Sequence, residues 1–148
     1  MTQGAVDAAV GYANNEPVQL ALAGKNVNVI RTWEYARLVG NGVAVSEKTL
    51  AERPALVKGF VRALLQGVQD AIANPDEALS ISNAAYPEFA SDKSAKEVLR
   101  ASIELWKNKR IGYSEPADWK AMADSMRAAN LIEKEVDVSK AFANQFVP

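Results

Sequence analysis

A short polar segment near the start of the sequence carries the side chains best suited to bind a small ligand. It contains Tyr12, Asn14, Asn15 and Glu16. The tyrosine ring can stack on a flat heteroaromatic ring, the amides can hydrogen-bond the ring edge, and the carboxylate can accept from an amino group or ring N–H. A ligand that lacks the donor would leave that carboxylate unsatisfied, which gives specificity. Two alternatives stay open, because Asn15 can cap the following helix and Glu16 can be a solvated carboxylate favoured by the helix dipole.

A second group combines two aromatic rings with an acid, at Trp33, Glu34 and Tyr35, and is followed by Asn41 between two glycines. Two rings flanking a carboxylate suit a stacked ring that carries amino groups. Aromatic residues after a strand also serve as core or interface packing, and an asparagine between glycines also serves a turn with positive φ. Both interpretations of each residue remain open at this stage.

Several chemistries are excluded by composition. The sequence of 148 residues contains no histidine and no cysteine, and its net charge is −1. Disulfides, Ser-His-Asp and Cys-His catalysis and ordinary zinc sites are therefore absent, and an enzyme would depend on carboxylates, lysine or tyrosine. No Gly-rich phosphate loop or metal-ligand spacing is found, so we predict no cofactor and no metal. The near-zero charge also argues against nucleic-acid binding.

The elements that position these residues begin with an α/β pattern. Residues 6–12 form a short apolar run that predicts a strand, residues 17–23 predict a helix that stops at Gly24, and residues 27–30 predict a second strand. The spacing fits a parallel βαβ crossover, and residues 43–45 predict a third strand. Because parallel sheets bind ligands beyond the carboxyl ends of their strands, the segment from Tyr12 to Glu16 lies where a site is expected.

Helices dominate the rest of the sequence. Ser46 is predicted to cap a helix at residues 47–52, and a long amphipathic helix follows from Pro54 to Asn74. Further helices are predicted at residues 76–85, 91–107 and 116–129. The tail could end in a short helix that carries Phe142 and Phe146. No apolar run reaches the roughly 20 residues that span a bilayer, and the first residues lack the pattern of a secretion signal. Since the sequence opens inside an apparent strand, we expect it to be cut from a longer protein with any export signal upstream.

The order of these residues resembles a known family. Residues 6–17, which include the run Gly-Tyr-Ala-Asn-Asn-Glu-Pro, and residues 24–30 are similar to the second lobe of type II periplasmic binding proteins of the thiamine-pyrimidine-precursor group, which also contains riboflavin-type binders. Residues 42–54 look like the return strand of that family and the helix leading back into its first lobe. The resemblance continues to the end of the chain but covers only about the last half of the family's usual length.

The resemblance implies an α/β, helix-rich fold that is the C-terminal portion of the type II architecture. Residues 1–40 would belong to lobe 2 and include the segment that crosses between lobes, and residues 41–148 would form the return strand and C-terminal helices of lobe 1. The ligand would lie in the cleft between lobes, near Trp33 to Tyr35, with Gly40 and Gly42 allowing hinge bending. An ABC permease would receive the ligand. The protein would be located in the periplasm or elsewhere outside the cytoplasm, and a membrane-associated lipoprotein is one form that it could take.

The predicted function is therefore the substrate-binding component of an ABC importer for a small heterocycle, a thiamine pyrimidine precursor or a flavin-like compound, and not an enzyme. One alternative is a fragment of a thiamine-pyrimidine synthase of the same fold group, although such enzymes use a histidine, iron and a cysteine-rich stretch that this chain lacks. Another is a small helical protein that self-associates. Since amphipathic helices without a covering sheet expose apolar faces, we predict that the isolated chain is a homo-oligomer.

Overall fold

The computed structural model describes residues 4–89, 92–107 and 110–148. Within these residues the regular elements are helical, and short 3₁₀ turns occur between and after them. The α-helices are α1 (Glu16–Leu22), α2 (Glu47–Glu52), α3 (Pro54–Ala73), α4 (Pro75–Ala85), α5 (Ala95–Trp106) and α6 (Pro116–Ala128). The helix-rich part of the predicted fold class is confirmed. No helix in the described ranges combines the length and the apolar character that a membrane crossing requires.

The chain divides into two compact units, each built from two segments. The first unit comprises the described residues of 1–30 and 69–108, and the second those of 31–68 and 109–148. The division in sequence falls within α3, between Val68 and Gln69. The predicted assignment of residues 1–40 and 41–148 to two lobes concerns the longer family fold and stays a prediction.

Most helix limits follow from local signals that the sequence carries. Ser46 caps α2 by accepting a hydrogen bond from the Thr49 N–H at 3.2 Å, as predicted. Helix α3 ends at Ala73, immediately before the Asn74-Pro75 pair that predicts its end. The predicted start of α5 at Ser91 lies outside the described residues, and the described helix begins at Ala95.

Two helices end in the same left-handed arrangement. After α1, Gly24 has a φ of 70°, and the N–H groups of Gly24 and Lys25 donate to the carbonyl oxygens of Ala21 and Leu20. After α6, Asn130 has a φ of 56°, and Leu131 N–H donates to Met126 O at 2.9 Å. These are Schellman motifs, in which a residue that tolerates positive φ lets the last carbonyls of the helix find donors. The predicted stop at Gly24 is confirmed.

The three predicted strands are wrong for the described residues. Residues 6–12, 27–30 and 43–45 contain no strand, and apolar side chains such as Val10, Ile30 and Val43 are exposed. A strand exists only through hydrogen bonds to a neighbouring strand, and no described segment pairs with these residues. The α/β part of the fold class is therefore not observed here, although the amino-acid pattern that favours strands is present.

Each unit has a small buried centre. In the first unit Ile103 of α5 is buried, and Lys96 of α5 forms an ion pair with Asp76 of α4 at 2.9 Å. In the second unit Leu65 of α3 is buried against Gly112, where a Cβ would lie 2.7 Å from Leu65 Cδ2. Gly112 also has a φ of 83°, which favours glycine at this position.

The tail of the chain packs within the second unit through irregular structure. It contains 3₁₀ turns at Val138–Lys140 and Asn144–Phe146 instead of the predicted short helix. Phe142 stacks on Trp119 of α6 with ring centroids 5.9 Å apart, and the Asn144 side chain bonds both the N–H and the C=O of Ser114 at 2.9 Å. The 3₁₀ turn contains Phe146 but not Phe142.

Candidate ligand-binding site

The eight residues singled out in the sequence are divided equally between the two units. Tyr12, Asn14, Asn15 and Glu16 belong to the first unit, and Trp33, Glu34, Tyr35 and Asn41 belong to the second. Within each unit the residues that are close in sequence share one turn. Two candidate surfaces result, one in each unit.

The first surface is a turn that leads directly into α1. Asn15 N–H donates to Tyr12 O at 2.9 Å, and Tyr12 N–H donates to Glu16 Oε2 at 2.5 Å. The carboxylate thereby reaches back over its own turn and closes it. Tyr12 is 61% exposed as a residue, which leaves its side chain accessible for stacking. This arrangement holds an aromatic face, two amides and a carboxylate on one short loop.

Asn15 occupies the N-cap position of α1, but its side chain makes no capping hydrogen bond. Its carbonyl oxygen accepts from Gln19 N–H at 2.9 Å, as expected of the residue that begins a helix. The capping role considered for the Asn15 side chain is therefore wrong in this structure. Glu16 lies in the first turn of α1, where its negative charge is favourable.

Gly11 makes the closed turn possible through its missing side chain. A Cβ at this position would lie 2.8 Å from Glu16 Oε2 and 2.9 Å from Glu16 Cδ. Both distances are shorter than ordinary non-bonded contacts, so any larger residue would displace the Glu16 carboxylate from the Tyr12 N–H. The glycine before the aromatic residue is part of the motif for this reason.

The turn is fixed to α5 by a pair of serines that sequence reasoning missed. Asn14 Nδ2 donates to Ser102 Oγ at 2.8 Å, and Gln19 Nε2 of α1 donates to Ser94 Oγ at 2.5 Å. Ser94 and Ser102 are only 4% and 5% exposed. A signal for Ser102 exists in the sequence, since this serine lies four positions after Val98 and next to Ile103, where an amphipathic helix would carry apolar residues.

Ser94 is itself held by Asp92 at the start of this region. The Ser94 hydroxyl and the Ser94 N–H both donate to Asp92 Oδ1, at 2.6 and 2.8 Å. These two hydrogen bonds, the hydroxyl first, lower the pKa of Asp92 below its usual value of 3.8. These bonds favour the ionised form of Asp92, which through Ser94 supports the contact between α5 and α1.

The second surface is a 3₁₀ turn at Thr32–Glu34 that exposes two rings. Trp33 and Tyr35 are both exposed, so neither packs in the core of its unit. Glu34 forms a loose ion pair with Arg31, with 3.7 Å between Oε1 and Nη1 and both side chains exposed. Exposed pairs of this kind contribute little to stability. The two rings and the carboxylate remain accessible to a ligand.

Asn41 lies in the exposed segment between Gly40 and Gly42. Its φ is not positive, because positive φ among the described residues occurs at Asn130, Gly4, Gly24 and Gly112. The interpretation of Asn41 as a left-handed turn residue is therefore wrong here. Across the described ranges, no cluster of Asp and Glu has the composition and spacing of a metal site.

Comparison with known proteins identifies the family. The family model described as NMT1/THI5 like matches residues 1–78, which include all eight candidate residues. The chain belongs to the NMT1/THI5 like family. The resemblance seen in the sequence is thus confirmed at the level of this solute-binding group.

Two curated relatives of this NMT1/THI5 like chain have different functions in their names. The riboflavin-binding protein RibY of Chloroflexus aurantiacus is 44% identical over 150 residues, which cover 97% of this chain and 43% of RibY. The 4-amino-5-hydroxymethyl-2-methylpyrimidine phosphate synthase of Legionella pneumophila is 26% identical over 152 residues, which cover 97% of this chain and 46% of the synthase. The chain spans less than half the length of either relative.

Proposed function

We propose that this chain is part of the substrate-binding component of an ABC importer that captures a flat heterocycle, with a flavin as the first candidate and a thiamine pyrimidine precursor as the second. The observation that carries the proposal is the 44% identity to a protein named for riboflavin binding, which extends over nearly the whole chain. The turn at Tyr12 to Glu16 supports it, since it combines a stacking surface with hydrogen-bonding groups.

The turn in the first unit would bind the ligand through three kinds of contact. Tyr12 would stack on the ring system, and Asn14 and Asn15 would hydrogen-bond its polar edge. Glu16 already accepts from the Tyr12 N–H through Oε2, which leaves Oε1 as the oxygen for a ligand N–H. A carboxylate that is oriented before binding loses less freedom when the ligand arrives.

The second unit would contribute Trp33, Glu34, Tyr35 and Asn41. The two exposed rings would stack on the ligand, Glu34 would exchange its loose contact with Arg31 for a ligand donor, and Asn41 would supply one further polar contact. In the type II fold these residues would lie near the crossing between lobes. Closure of the lobes on the ligand would be driven by stacking and edge hydrogen bonds.

The same proposal covers location and partner. A protein that binds solute for an importer acts outside the cytoplasm and presents the loaded, closed form to an ABC permease.

Titration with riboflavin tests the ligand class directly. We expect the full chain to quench riboflavin fluorescence as the flavin stacks, and Tyr12→Leu to weaken binding roughly tenfold, the scale of one aromatic stacking contact. Tyr86→Leu is the matched control, because Tyr86 is exposed to a similar extent but lies on a different loop of the same unit. Quenching and binding heat absent for both riboflavin and 4-amino-5-hydroxymethyl-2-methylpyrimidine would rule out this ligand class.

The second candidate function is catalysis, favoured by the relative named as a synthase. The lower identity and the absence of histidine and cysteine from this chain weigh against it, because those side chains supply most acid–base and thiolate chemistry. Formation of a pyrimidine product by the full chain in the presence of iron would establish the enzyme instead of the carrier.

A further inference from the structure

Two of the most buried side chains in the described residues are serines, Ser94 and Ser102, at 4% and 5% exposed. Burial of a hydroxyl is unfavourable unless the group is hydrogen-bonded. Each of these hydroxyls is bonded twice, once within its own segment and once to an amide side chain at or beside α1.

The direction of each hydrogen bond follows from counting protons. A serine hydroxyl has one hydrogen, and that of Ser102 is donated to Val98 O at 2.7 Å, since a carbonyl oxygen can only accept. Ser102 Oγ must therefore accept from Asn14, which turns the Nδ2 amide group of Asn14 toward α5. The carbonyl oxygen Oδ1, attached to the same carbon, then points away from Ser102.

Ser94 repeats this logic on the neighbouring amide. Its hydrogen is donated to the Asp92 carboxylate at 2.6 Å, so its oxygen accepts from Gln19 Nε2. Two serines on one side of the first unit thus fix the orientation of two amides. Of these, only Asn14 lies in the turn that contains Tyr12 and Glu16.

We propose that Ser102 is a positioning residue that makes Asn14 a hydrogen-bond acceptor for the ligand. With Nδ2 held by Ser102, the ligand meets Oδ1, which selects a ring edge that carries an N–H donor. The imide N–H of a flavin and the amino group of an aminopyrimidine are donors of this kind, whereas a ring edge that offers only acceptors is rejected. This inference rests on the proposed function and adds the residue that sets the polarity of its site.

The test compares riboflavin with N3-methylriboflavin, in which the imide hydrogen is replaced, using the full chain and fluorescence titration. We expect the unmodified chain to prefer riboflavin by about tenfold, the scale of one neutral hydrogen bond. Ser102→Ala should bring this ratio close to one, because the Asn14 amide is then free to rotate and present either end. A purely structural role would weaken both ligands equally and leave the ratio unchanged.

Three further variants make the result decisive. Ser102→Cys fills the space of the serine but accepts hydrogen bonds weakly, so it should lose the preference even if Ser102→Ala does not fold. Ser125→Ala removes the same kind of bond, from a helix hydroxyl to the carbonyl four residues earlier, on α6, and should keep the preference. In an Asn14→Ala background, Ser102→Ala should change the ratio no further.

The outcomes separate the two proposals. Riboflavin binding with an unchanged ratio in Ser102→Ala and Ser102→Cys would overturn the role of Ser102 and leave the carrier function intact. Equal affinity of the unmodified chain for the two flavins would also overturn it. Absence of flavin binding by the unmodified chain would overturn the flavin assignment together with the positioning role.

Discussion

The contact between Glu16 and the Tyr12 N–H depends on an unoccupied volume at Gly11. A Cβ on residue 11 would lie only 2.8 Å from Glu16 Oε2, so the carboxylate uses space that a side chain would fill. Gly11 does not have a positive φ, so its role is to leave space and not to relieve backbone strain. Gly11, Tyr12 and Glu16 of the Gly-Tyr-Ala-Asn-Asn-Glu-Pro run are thus linked by one requirement, which is a carboxylate folded over the turn that precedes its helix.

Gly11→Ala should move the carboxylate without unfolding the protein. Glu16 can rotate away because its carboxylate ends a flexible side chain, so we expect the free energy of unfolding to change by no more than about 1 kcal/mol. The amide resonance of Tyr12 should shift as its acceptor leaves, and riboflavin should bind more weakly. Glu16→Gln, which retains an acceptor oxygen and Gly11, should keep more of the affinity. An unaltered Tyr12 amide resonance in Gly11→Ala would contradict this account of the turn.

At the scale of elements, α1 is too short to be stable alone, since helices of seven residues do not persist in water. Its stability comes from contacts with α5, including the hydrogen bond from Gln19 to Ser94. Asp92 supports that serine through two hydrogen bonds. The position of the candidate turn is therefore linked to the Asp92 carboxylate through Ser94, which is 75 residues away from Gln19 in sequence.

This link predicts a pH dependence with a defined sign. Because the pKa of Asp92 is lower in the folded protein, its ionised form stabilises the fold at pH values above 3.8, the usual pKa of this side chain. That contribution is lost as the pH falls through the folded-state pKa. Asp92→Asn keeps an acceptor oxygen at this position but does not titrate. The unmodified chain should therefore unfold at a higher urea concentration than the variant, by an amount that is constant above about pH 5 and smaller below about pH 4.

Ser94→Ala provides the control for this titration. When the Ser94 hydroxyl is removed, Asp92 loses the hydrogen bond that contributes most to its lowered pKa. The pH-dependent difference between the chain that retains Asp92 and its Asp92→Asn variant should then become smaller, because only the N–H of residue 94 still lowers the pKa of Asp92. A difference of equal size in the Ser94→Ala background would show that another charge determines the behaviour of Asp92.

The helices could be predicted from the sequence because their signals are local. Ser46, Pro54 and the Asn74-Pro75 pair act within one or two turns, and each has the predicted role in the structure. The candidate turn and its residues could also be proposed from side-chain chemistry and the family resemblance. The residues that position the turn could not, because the bond between Asn14 and Ser102 joins residues 88 apart in sequence.

The prediction of three strands was wrong for a related reason. Apolar runs at residues 6–12, 27–30 and 43–45 express a preference for extended, half-buried backbone, but a preference becomes a strand only when another strand supplies its hydrogen bonds. No described residues do so here. Sequence pattern therefore identified segments able to pair, and tertiary context decided that they do not pair in this chain.

At the scale of the whole molecule, the main feature is the amount of apolar surface left uncovered. Leu65 and Ile103 are the only buried hydrophobic side chains among the described residues, while the large side chains of Phe60 and Leu64 on α3 are exposed. Fully burying one such side chain contributes about 1.5–3 kcal/mol. An exposed row of this kind on an amphipathic helix favours association with any complementary apolar surface.

We therefore expect the chain of 148 residues to self-associate when studied alone. Sedimentation velocity at tens of micromolar should give species larger than 16.0 kDa. Leu64→Lys should shift the distribution toward the monomer, because a charge in the contact must be desolvated. Ala55→Lys adds the same charge at an exposed position of α3, on the face opposite Phe60 and Leu64, and should have less effect. A monomeric chain that unfolds cooperatively at that concentration would refute self-association. An equal shift toward the monomer in the two lysine variants would exclude Phe60 and Leu64 as the contact.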